Sequence, residues 1–169
     1  MTQAPRDLPP GGAALARLRL RAGDALIWGR GLFRAPLRLG VRLAAFDAAG
    51  RVFLVRHSYL PGWHLPGGAV EAGETARAAA AREAREEGGL ILDAPPAFLH
   101  LYHHPTTGRL DHIALFVARD ARRADGAARS LEIREAGFFA PEALPEATTI
   151  ATQARIAEAR GEAPPCDLW

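Results

Sequence analysis

Residues 68–90 of this chain read GAVEAGETARAAAAREAREEGGL, and this stretch decides how the rest of the sequence is interpreted. Its second half is rich in alanine, glutamate and arginine, which predicts a helix over about residues 75–87. Residues three and four apart lie on one helix face, so Glu83 lies beside both Glu86 and Glu87. Like charges at this spacing cost roughly 0.2–0.5 kcal/mol per pair in an isolated helix. Such a cluster indicates a cation site, because carboxylate oxygens are the ligands that Mg²⁺ and Mn²⁺ prefer.

Glycines flank the predicted helix at both ends. Gly67 and Gly68 precede it and let the backbone approach a ligand closely, because glycine has no Cβ atom. Gly88 and Gly89 follow it and are expected to end the helix in left-handed geometry. The helix is therefore bounded by a close-approach loop on one side and by a glycine stop on the other.

Two further charged residues belong to the same stretch. Arg82 lies four residues before Glu86, so it is expected to pair with a carboxylate and to hold it in one orientation. Glu74 lies where the loop meets the helix, a position that favours acidic residues. We expect Glu74 to take part in the same network of charges.

The stretch resembles the Nudix box, G-x5-E-x7-R-E-U-x-E-E-x-G-U, in which U is an aliphatic residue. Its fixed positions are filled by Gly68, Glu74, Arg82, Glu83, Glu86, Glu87 and Gly89. Leu90 fits the second aliphatic position, whereas Ala84 is a small substitute at the first. Identities at this many fixed positions are highly specific, so they outweigh the alternative of a surface helix that is merely rich in glutamate and arginine.

The resemblance implies a MutT-like Nudix hydrolase over residues 39–160, with an α/β/α sandwich around a mixed sheet. Such enzymes hydrolyse a nucleoside diphosphate linked to another group, and they require divalent metal ions, here Mg²⁺ or Mn²⁺. By resemblance, Glu83, Glu86 and Glu87 hold the metal, with the Gly67 carbonyl as a further ligand. A metal in such a site neutralises phosphate charge and lowers the pKa of a bound water.

The resemblance leaves the general base open. Glu83 or Glu86 within the box could take the proton of the attacking water. Some family members use a glutamate outside the box, and Glu132 and Glu135 are the candidates here. Arg82 belongs with the box glutamates among the catalytic residues, because it orients them.

The remaining hydrophobic pattern independently predicts an α/β or α+β fold. Apolar runs predict strands on both sides of a turn at residues 47–50, and two more over residues 97–104 and 112–119. Pro105 is expected in the hairpin turn between the last two. A C-terminal helix is expected over residues 148–160, with an inward side formed by Ile150, Ala154, Ile156 and Ala157. This order of elements indicates a mixed sheet with helices on both faces.

Composition divides the chain of 169 residues into four parts. Residues 1–12 are rich in proline and glycine and are expected to be a disordered tail. Residues 13–38 form a basic segment, residues 39–160 the hydrolase domain, and residues 161–169 a C-terminal tail.

Charge, cysteine content and hydropathy restrict the partners. We find no pattern of a transmembrane helix or a secretory signal. Cys166 is the only cysteine and cannot form an internal disulfide, which fits a cytoplasmic protein. The formal net charge of +2 argues neither for nor against nucleic acid. The resemblance implies a small nucleotide-diphosphate substrate rather than a stable nucleic acid complex. A homodimer is left open.

Residues that could contact the substrate are scattered outside the box. Aromatic rings that could stack on a nucleobase are those of Trp63, Tyr102 and Phe139. Each of these rings also fits an ordinary place in the core or at its rim. Side chains that could contact phosphate or base are those of Arg42, Arg56, Arg109, His100, His103, His104 and His112. These residues leave open whether the substrate is a nucleoside triphosphate, ADP-ribose or a nucleotide sugar.

Two alternatives to an active hydrolase are kept. A non-catalytic Nudix module would bind a nucleotide and regulate a partner, although such modules tend to lose the paired glutamates that Glu86 and Glu87 provide here. A second alternative is that residues 1–35 dock to a partner or a membrane and that hydrolysis is secondary.

Overall fold

The computed structural model describes residues 38–106, 109–125 and 131–169. The predicted tail and all of the basic segment except Arg38 lie outside the described residues, as does the docking role suggested for them. The elements follow one another as β1 (Arg38–Ala45), β2 (Val52–His57), α1 (Ala76–Gly88), β3 (Leu90–Ile91), β4 (Ala97–Thr106), β5 (Arg109–Ala118), β6 (Arg122–Arg123), β7 (Ile133–Phe139), a 3-10 turn (Pro141–Ala143) and α2 (Ile150–Arg160).

The central sheet is mixed, as the sequence predicts. Strand β5 lies between β1, which runs parallel to it, and β4, which runs antiparallel. The loop that leads into the box pairs along the other edge of β1, where Val41 N donates to Gly68 O at 2.8 Å and Leu43 N to Pro66 O at 2.9 Å. Two further antiparallel pairs join β2 to β7 and β3 to β6. The box loop is therefore held at the sheet by backbone hydrogen bonds.

Helices cover both faces of β1, which confirms the predicted sandwich. Leu43 points toward α1 and packs in one core cluster with Ala80 and Ala84 of that helix. Its neighbour Ala44 points the other way and packs in a second cluster with Ile156 of α2. Successive residues of a strand face opposite sides, so one strand supplies both cores.

A hydrogen-bonded turn joins β1 to β2 at the predicted position. Asp47 Oδ1 accepts from Ala49 N at 3.0 Å and from Arg51 N at 2.8 Å. Its other oxygen pairs with the Arg51 guanidinium at 2.7 Å. The Asp47 carboxylate therefore replaces backbone partners within the turn.

Two local expectations about glycine and proline are wrong. Gly88 is the last residue of α1, and only Gly89 adopts left-handed geometry, with φ 62°. Gly88 is required by packing instead, since a Cβ atom there would lie 2.5 Å from Cε1 of Phe53. Pro105 lies within β4 opposite Leu110 rather than in the hairpin turn.

The expected inward side of the C-terminal helix is wrong at Ile150, which is 87% exposed. Helix α2 instead buries Arg155 and Glu158, which pair at 2.6 Å. The Arg155 guanidinium also lies 4.2 Å from the ring centroid of Tyr102. Because the opposite charges of Arg155 and Glu158 pair with each other, the helix can bury these polar side chains against the sheet.

The C-terminal segment packs along β4. His103 N donates to Asp167 O at 2.8 Å, and Trp169 N donates to His103 O at 3.0 Å. The Trp169 ring lies edge-on to Tyr102 at 5.4 Å between centroids. Neither of the two described helices is long and apolar enough to cross a membrane.

Candidate active site

Helix α1 presents the box carboxylates from a tightly packed base. Thr75 caps its N-terminus by accepting from Ala78 N at 3.2 Å. Ala84 is fully buried against the β1 core, so the small residue at this aliphatic position fits a close approach of helix and sheet. Beside this buried face, the side chains of Glu83 and Glu87 are 15% and 10% exposed.

Arg82 holds several carboxylates at once. It donates to Glu74 at 2.8 Å and 3.2 Å, to Glu83 at 2.9 Å and to Glu86 at 3.1 Å. It also donates to the Ala69 carbonyl at 3.2 Å, which ties the helix to the box loop. The hydrogen bond from Arg82 lowers the pKa of the Glu74 carboxyl. The structure thus confirms the predicted pairing of Arg82 with box carboxylates.

Gly68 is placed directly against the carboxylate of Glu83. A Cβ atom at this position would lie 2.5 Å from Glu83 Oε1. A side chain there would push the Glu83 carboxylate away, so glycine permits this contact. The close approach of the loop to a ligand stays a prediction.

Glu87 is the most enclosed of the box carboxylates. Its Oε2 accepts from Gly67 N at 2.9 Å. Burial raises the pKa of Glu87 to about 7, against the lowering effects of that hydrogen bond and of Arg42. The charges of Glu83 and Glu132 raise this pKa further. A nearby cation would favour the ionised form of this carboxylate.

His57 is a site residue that the sequence reasoning missed. It lies at the end of β2, is 4% exposed, and its Nε2 lies 3.7 Å from Glu87 Oε1. Burial, followed by the charge of Arg42, lowers the pKa of His57 to about 4, so the ring is neutral at neutral pH. Strand β2 is buried along almost its whole length, so no alternation marks the face of His57, and no local motif links it to the box.

Arg42 reaches the box loop from β1. Its Nη1 donates to the Gly67 carbonyl and, at 3.2 Å, to the Leu65 carbonyl. The charge of Arg42 also acts on Glu87. The guanidinium therefore lies at the same loop whose carbonyl is expected to bind metal.

The two candidate bases outside the box differ in surroundings. Glu135 pairs with Arg56 at 2.7 Å across the β2–β7 ladder, so each of these predicted site residues is engaged by the other. The charge of Glu132 acts on the box, since after burial it contributes to the raised pKa values of Glu87 and Tyr59.

The aromatic candidates belong to the core. Trp63 and Tyr102 are 7% and 0% exposed, so the prediction that they stack on a nucleobase is wrong. Phe139 is half-buried and lies edge-on to Trp63 at 4.9 Å between ring centroids. All three rings pack in the cluster beneath α2. Sequence reasoning could not separate them from surface rings because their burial depends on that helix.

His112 lies instead at a cavity beside the box loop. The cavity has a volume of about 250 Å³ and is lined by Arg38, Leu39, Gly40, Val41, Arg42, Gly68, Ala69, His104, His112 and Ile113. The ring of His112 lies 5.5 Å from that of His103, and its Nδ1 is buried without a hydrogen-bond partner among the described residues. Side chains from β1, β4 and β5 thus meet next to Gly68.

The family assignment follows from the whole domain. The family model described as NUDIX domain matches residues 36–159. The chain belongs to the NUDIX family. The box therefore lies within a domain of that family, and the match covers nearly all the described strands and helices.

Relatives of this NUDIX domain include two curated bacterial proteins. The chain is 45% identical over 60 residues to an RNA pyrophosphohydrolase of Dinoroseobacter shibae, covering 34% of this chain and 38% of that protein. It is 43% identical over 56 residues to an RNA pyrophosphohydrolase of Gluconobacter oxydans, covering 32% and 33%. The matched segments thus span little more than a third of these relatives.

Solved structures resemble the NUDIX domain over a larger part of the chain. A MutT NUDIX hydrolase from Burkholderia pseudomallei is 26% identical with a TM-score of 0.61, covering 72% of this chain and 96% of that one. A NUDIX hydrolase from Nitrosomonas europaea has a TM-score of 0.64, with coverage of 75% and 90%. The second, at 18% identity, supports the fold alone.

The donor groups of the NUDIX box fit a divalent cation chemically. Glu83, Glu86, Glu87 and the Gly67 carbonyl are hard oxygen donors within two helical turns and one loop. Glu83 and Glu86 are turned toward Arg82, and no three acidic, histidine or cysteine side chains of the described ranges converge on one point. The enclosed Glu87 carboxylate is the group that most favours a cation at this site.

Proposed function

We propose that this NUDIX domain is a metal-dependent hydrolase that cleaves the diphosphate linkage of a nucleoside diphosphate joined to another group. The observation that carries the proposal is the Arg82 network, in which one guanidinium orients Glu74, Glu83 and Glu86 beside the enclosed Glu87. One guanidinium does not balance the charge of four carboxylates held this close together, so the cluster favours a bound cation. Membership of the family supports the reaction type.

Residues Glu83, Glu86 and Glu87, together with the Gly67 carbonyl, would hold Mg²⁺ or Mn²⁺. When bound, the cation neutralises phosphate charge and lowers the pKa of a water. Arg82 keeps Glu83 and Glu86 in one orientation, and the Gly67 amide fixes one oxygen of Glu87.

The proton of the attacking water passes to a carboxylate of this chain. Glu83 and Glu86 are candidate bases within the box, and each also accepts a hydrogen bond from Arg82. Outside the box, Glu132 is favoured over Glu135, because the charge of Glu132 acts on Glu87. The base is therefore assigned by comparing Glu132→Gln with Glu135→Gln.

The substrate belongs to the classes of nucleoside triphosphates, ADP-ribose and nucleotide sugars. The two curated relatives are named RNA pyrophosphohydrolase, so phosphorylated RNA joins the substrates to be tested. The single cysteine, Cys166, supports a cytoplasmic location.

A substrate panel with Mg²⁺ separates this function from a regulatory module. Product release from at least one nucleotide is expected for the full chain, together with a loss of about a hundredfold or more in Glu87→Gln. Glu146→Gln is the matched control, because Glu146 is an exposed carboxylate in the loop before α2. Tight nucleotide binding with no turnover of any panel member would instead support the non-catalytic module.

A further inference from the structure

Arg42 lies between the box loop and the cavity beside it. Its guanidinium donates to the Gly67 and Leu65 carbonyls, and the same side chain lines the cavity of about 250 Å³. Carbonyl oxygens are neutral partners, and no carboxylate within the described ranges lies at hydrogen-bond distance from the Arg42 guanidinium. Such a guanidinium is able to exchange one partner for another.

The Gly67 carbonyl has two prospective partners. Arg42 donates to this oxygen, and the proposed function assigns the same oxygen to the divalent cation. Two positive groups at one oxygen repel each other, and the repulsion is strong where water is partly excluded. A cation at the Gly67 carbonyl and the guanidinium of Arg42 therefore compete for this atom.

The cavity offers the Arg42 guanidinium a second binding position, away from the Gly67 carbonyl. Arg38 and Arg42 extend from the same face of β1, and His104 and His112 add imidazole donors from β4 and β5. None of the described residues that line the cavity is acidic. Gly40 lies between the two arginines and adds no side chain, which leaves room above the sheet. This lining suits an anionic group, since guanidinium pairs with phosphate oxygens in a bidentate way.

We propose that Arg42 determines substrate specificity by exchanging the Gly67 carbonyl for a phosphate of the substrate when the cation binds. The inference rests on the proposed function and narrows its substrate class. The cavity takes a phosphate group beyond the linkage that is cleaved, so the domain prefers nucleoside triphosphates, or other chains with an additional phosphate, to nucleotide sugars.

Mn²⁺ binding to the full chain without nucleotide tests the competition. The Arg42→Gln variant removes the positive charge and keeps a hydrogen-bond donor for the Gly67 carbonyl. The control, Arg38→Gln, removes a positive charge from the same cavity at a residue that does not contact this carbonyl. By electron paramagnetic resonance, Arg42→Gln is expected to bind Mn²⁺ about threefold or more tightly than the unaltered chain, and Arg38→Gln about equally. Equal or weaker binding by Arg42→Gln overturns the competition.

Steady-state kinetics test the second position of Arg42. The KM for a nucleoside triphosphate is expected to rise about tenfold in Arg42→Gln, with a change below about threefold for a nucleotide sugar. An equal rise for both substrates overturns the specificity role. Absence of any Mn²⁺ binding by the unaltered chain is a different result, because it defeats the proposed function itself.

A charge-retaining variant keeps the inference testable if Arg42→Gln is unstable. Arg42→Lys retains the positive charge without the planar fork, so its Mn²⁺ affinity is expected to stay within about twofold of the unaltered chain. A gain in Mn²⁺ affinity of about threefold or more in this variant contradicts charge competition.

Discussion

Arg82 Nη1 donates to Glu83 Oε1 at 2.9 Å, although the two residues are neighbours in the same helix. The side chains of adjacent helical residues do not face each other, so the contact requires the long arginine side chain to bend along the helix surface. Glu74 draws the guanidinium to that position from the loop. One arginine thereby couples the start of the helix to the carboxylates on its second and third turns.

Replacing Arg82 by lysine is expected to lower kcat by about tenfold to a hundredfold, because a single ammonium cannot replace the planar fork that orients several carboxylates. The same change at Arg77, which is exposed on α1, is the control. Both variants are compared by steady-state kinetics and by thermal unfolding. An Arg82→Lys variant with the kcat of Arg77→Lys would show that the network does not orient the site.

Replacing Gly68 by alanine is expected to displace Glu83, since the new Cβ atom would lie 2.5 Å from Glu83 Oε1. We expect loss of about tenfold or more in Mn²⁺ affinity in the folded variant, because ligand placement governs metal affinity. Gly137→Ala is the control, as its added Cβ atom meets its nearest neighbour at 3.7 Å. Calorimetric Mn²⁺ titration that shows equal affinities for both variants would contradict the placement of Glu83.

Replacing Gly88 by alanine is expected to destabilise the fold by about 1–3 kcal/mol through overpacking. The new Cβ atom would lie 2.5 Å from Cε1 of Phe53 in the core beneath α1. Urea unfolding measures the loss, and the smaller side chain in Gly88→Ala/Phe53→Leu is expected to restore part of it. If Gly88→Ala is as stable as the unaltered chain, the packing of α1 against Phe53 has room for an added methyl group, which contradicts the overpacking.

The turn at Asp47 is expected to make stability depend on acid pH. Burial acts to raise the pKa of Asp47, but hydrogen bonds from Arg51 and Ala49 and the Arg51 charge outweigh it, so the pKa lies below 3.8. The ionised form is therefore favoured by folding, and its stabilisation is present above pH 3.8 and is lost as the pH falls through the folded-state pKa.

Urea unfolding of the unaltered chain and of Asp47→Asn across pH 2 to 7 measures this effect. The two free energies of unfolding are expected to converge at the acid end and to separate toward neutral pH. Asp93→Asn removes an exposed ion pair with Arg122 and is expected to change stability little at any pH. A constant difference between Asp47→Asn and the unaltered chain would mean that the carboxylate charge contributes nothing.

The features that the sequence predicts correctly are those that depend on neighbouring residues. The helix after Thr75, its end at Gly89 and the pairing of Arg82 with Glu86 all lie within one short stretch. The mixed sheet with helices on both faces follows from the order of apolar runs. These elements are specified by local spacing, which a single sequence displays.

The features that the sequence does not predict depend on strand register and on helix docking. His57 meets Glu87 only because β2 passes beside α1, and no spacing rule links the two residues. Tyr102 is a core residue because Arg155 of α2 lies over its ring. The apolar pattern of α2 predicts that Ile150 is buried, but Ile150 is exposed and the paired Arg155 and Glu158 are buried. Long-range pairing of charges is not visible in apolar periodicity.

The Mg²⁺ dependence of nucleotide hydrolysis by the full chain and by Glu83→Gln, with Glu146→Gln as control, tests most directly whether the box carboxylates carry the reaction. Turnover is expected to require Mg²⁺ in the unaltered chain and in the control, and to be slower by about a hundredfold or more in Glu83→Gln. Hydrolysis that proceeds equally without Mg²⁺, or at the same rate in Glu83→Gln, would contradict a reaction carried by the box carboxylates.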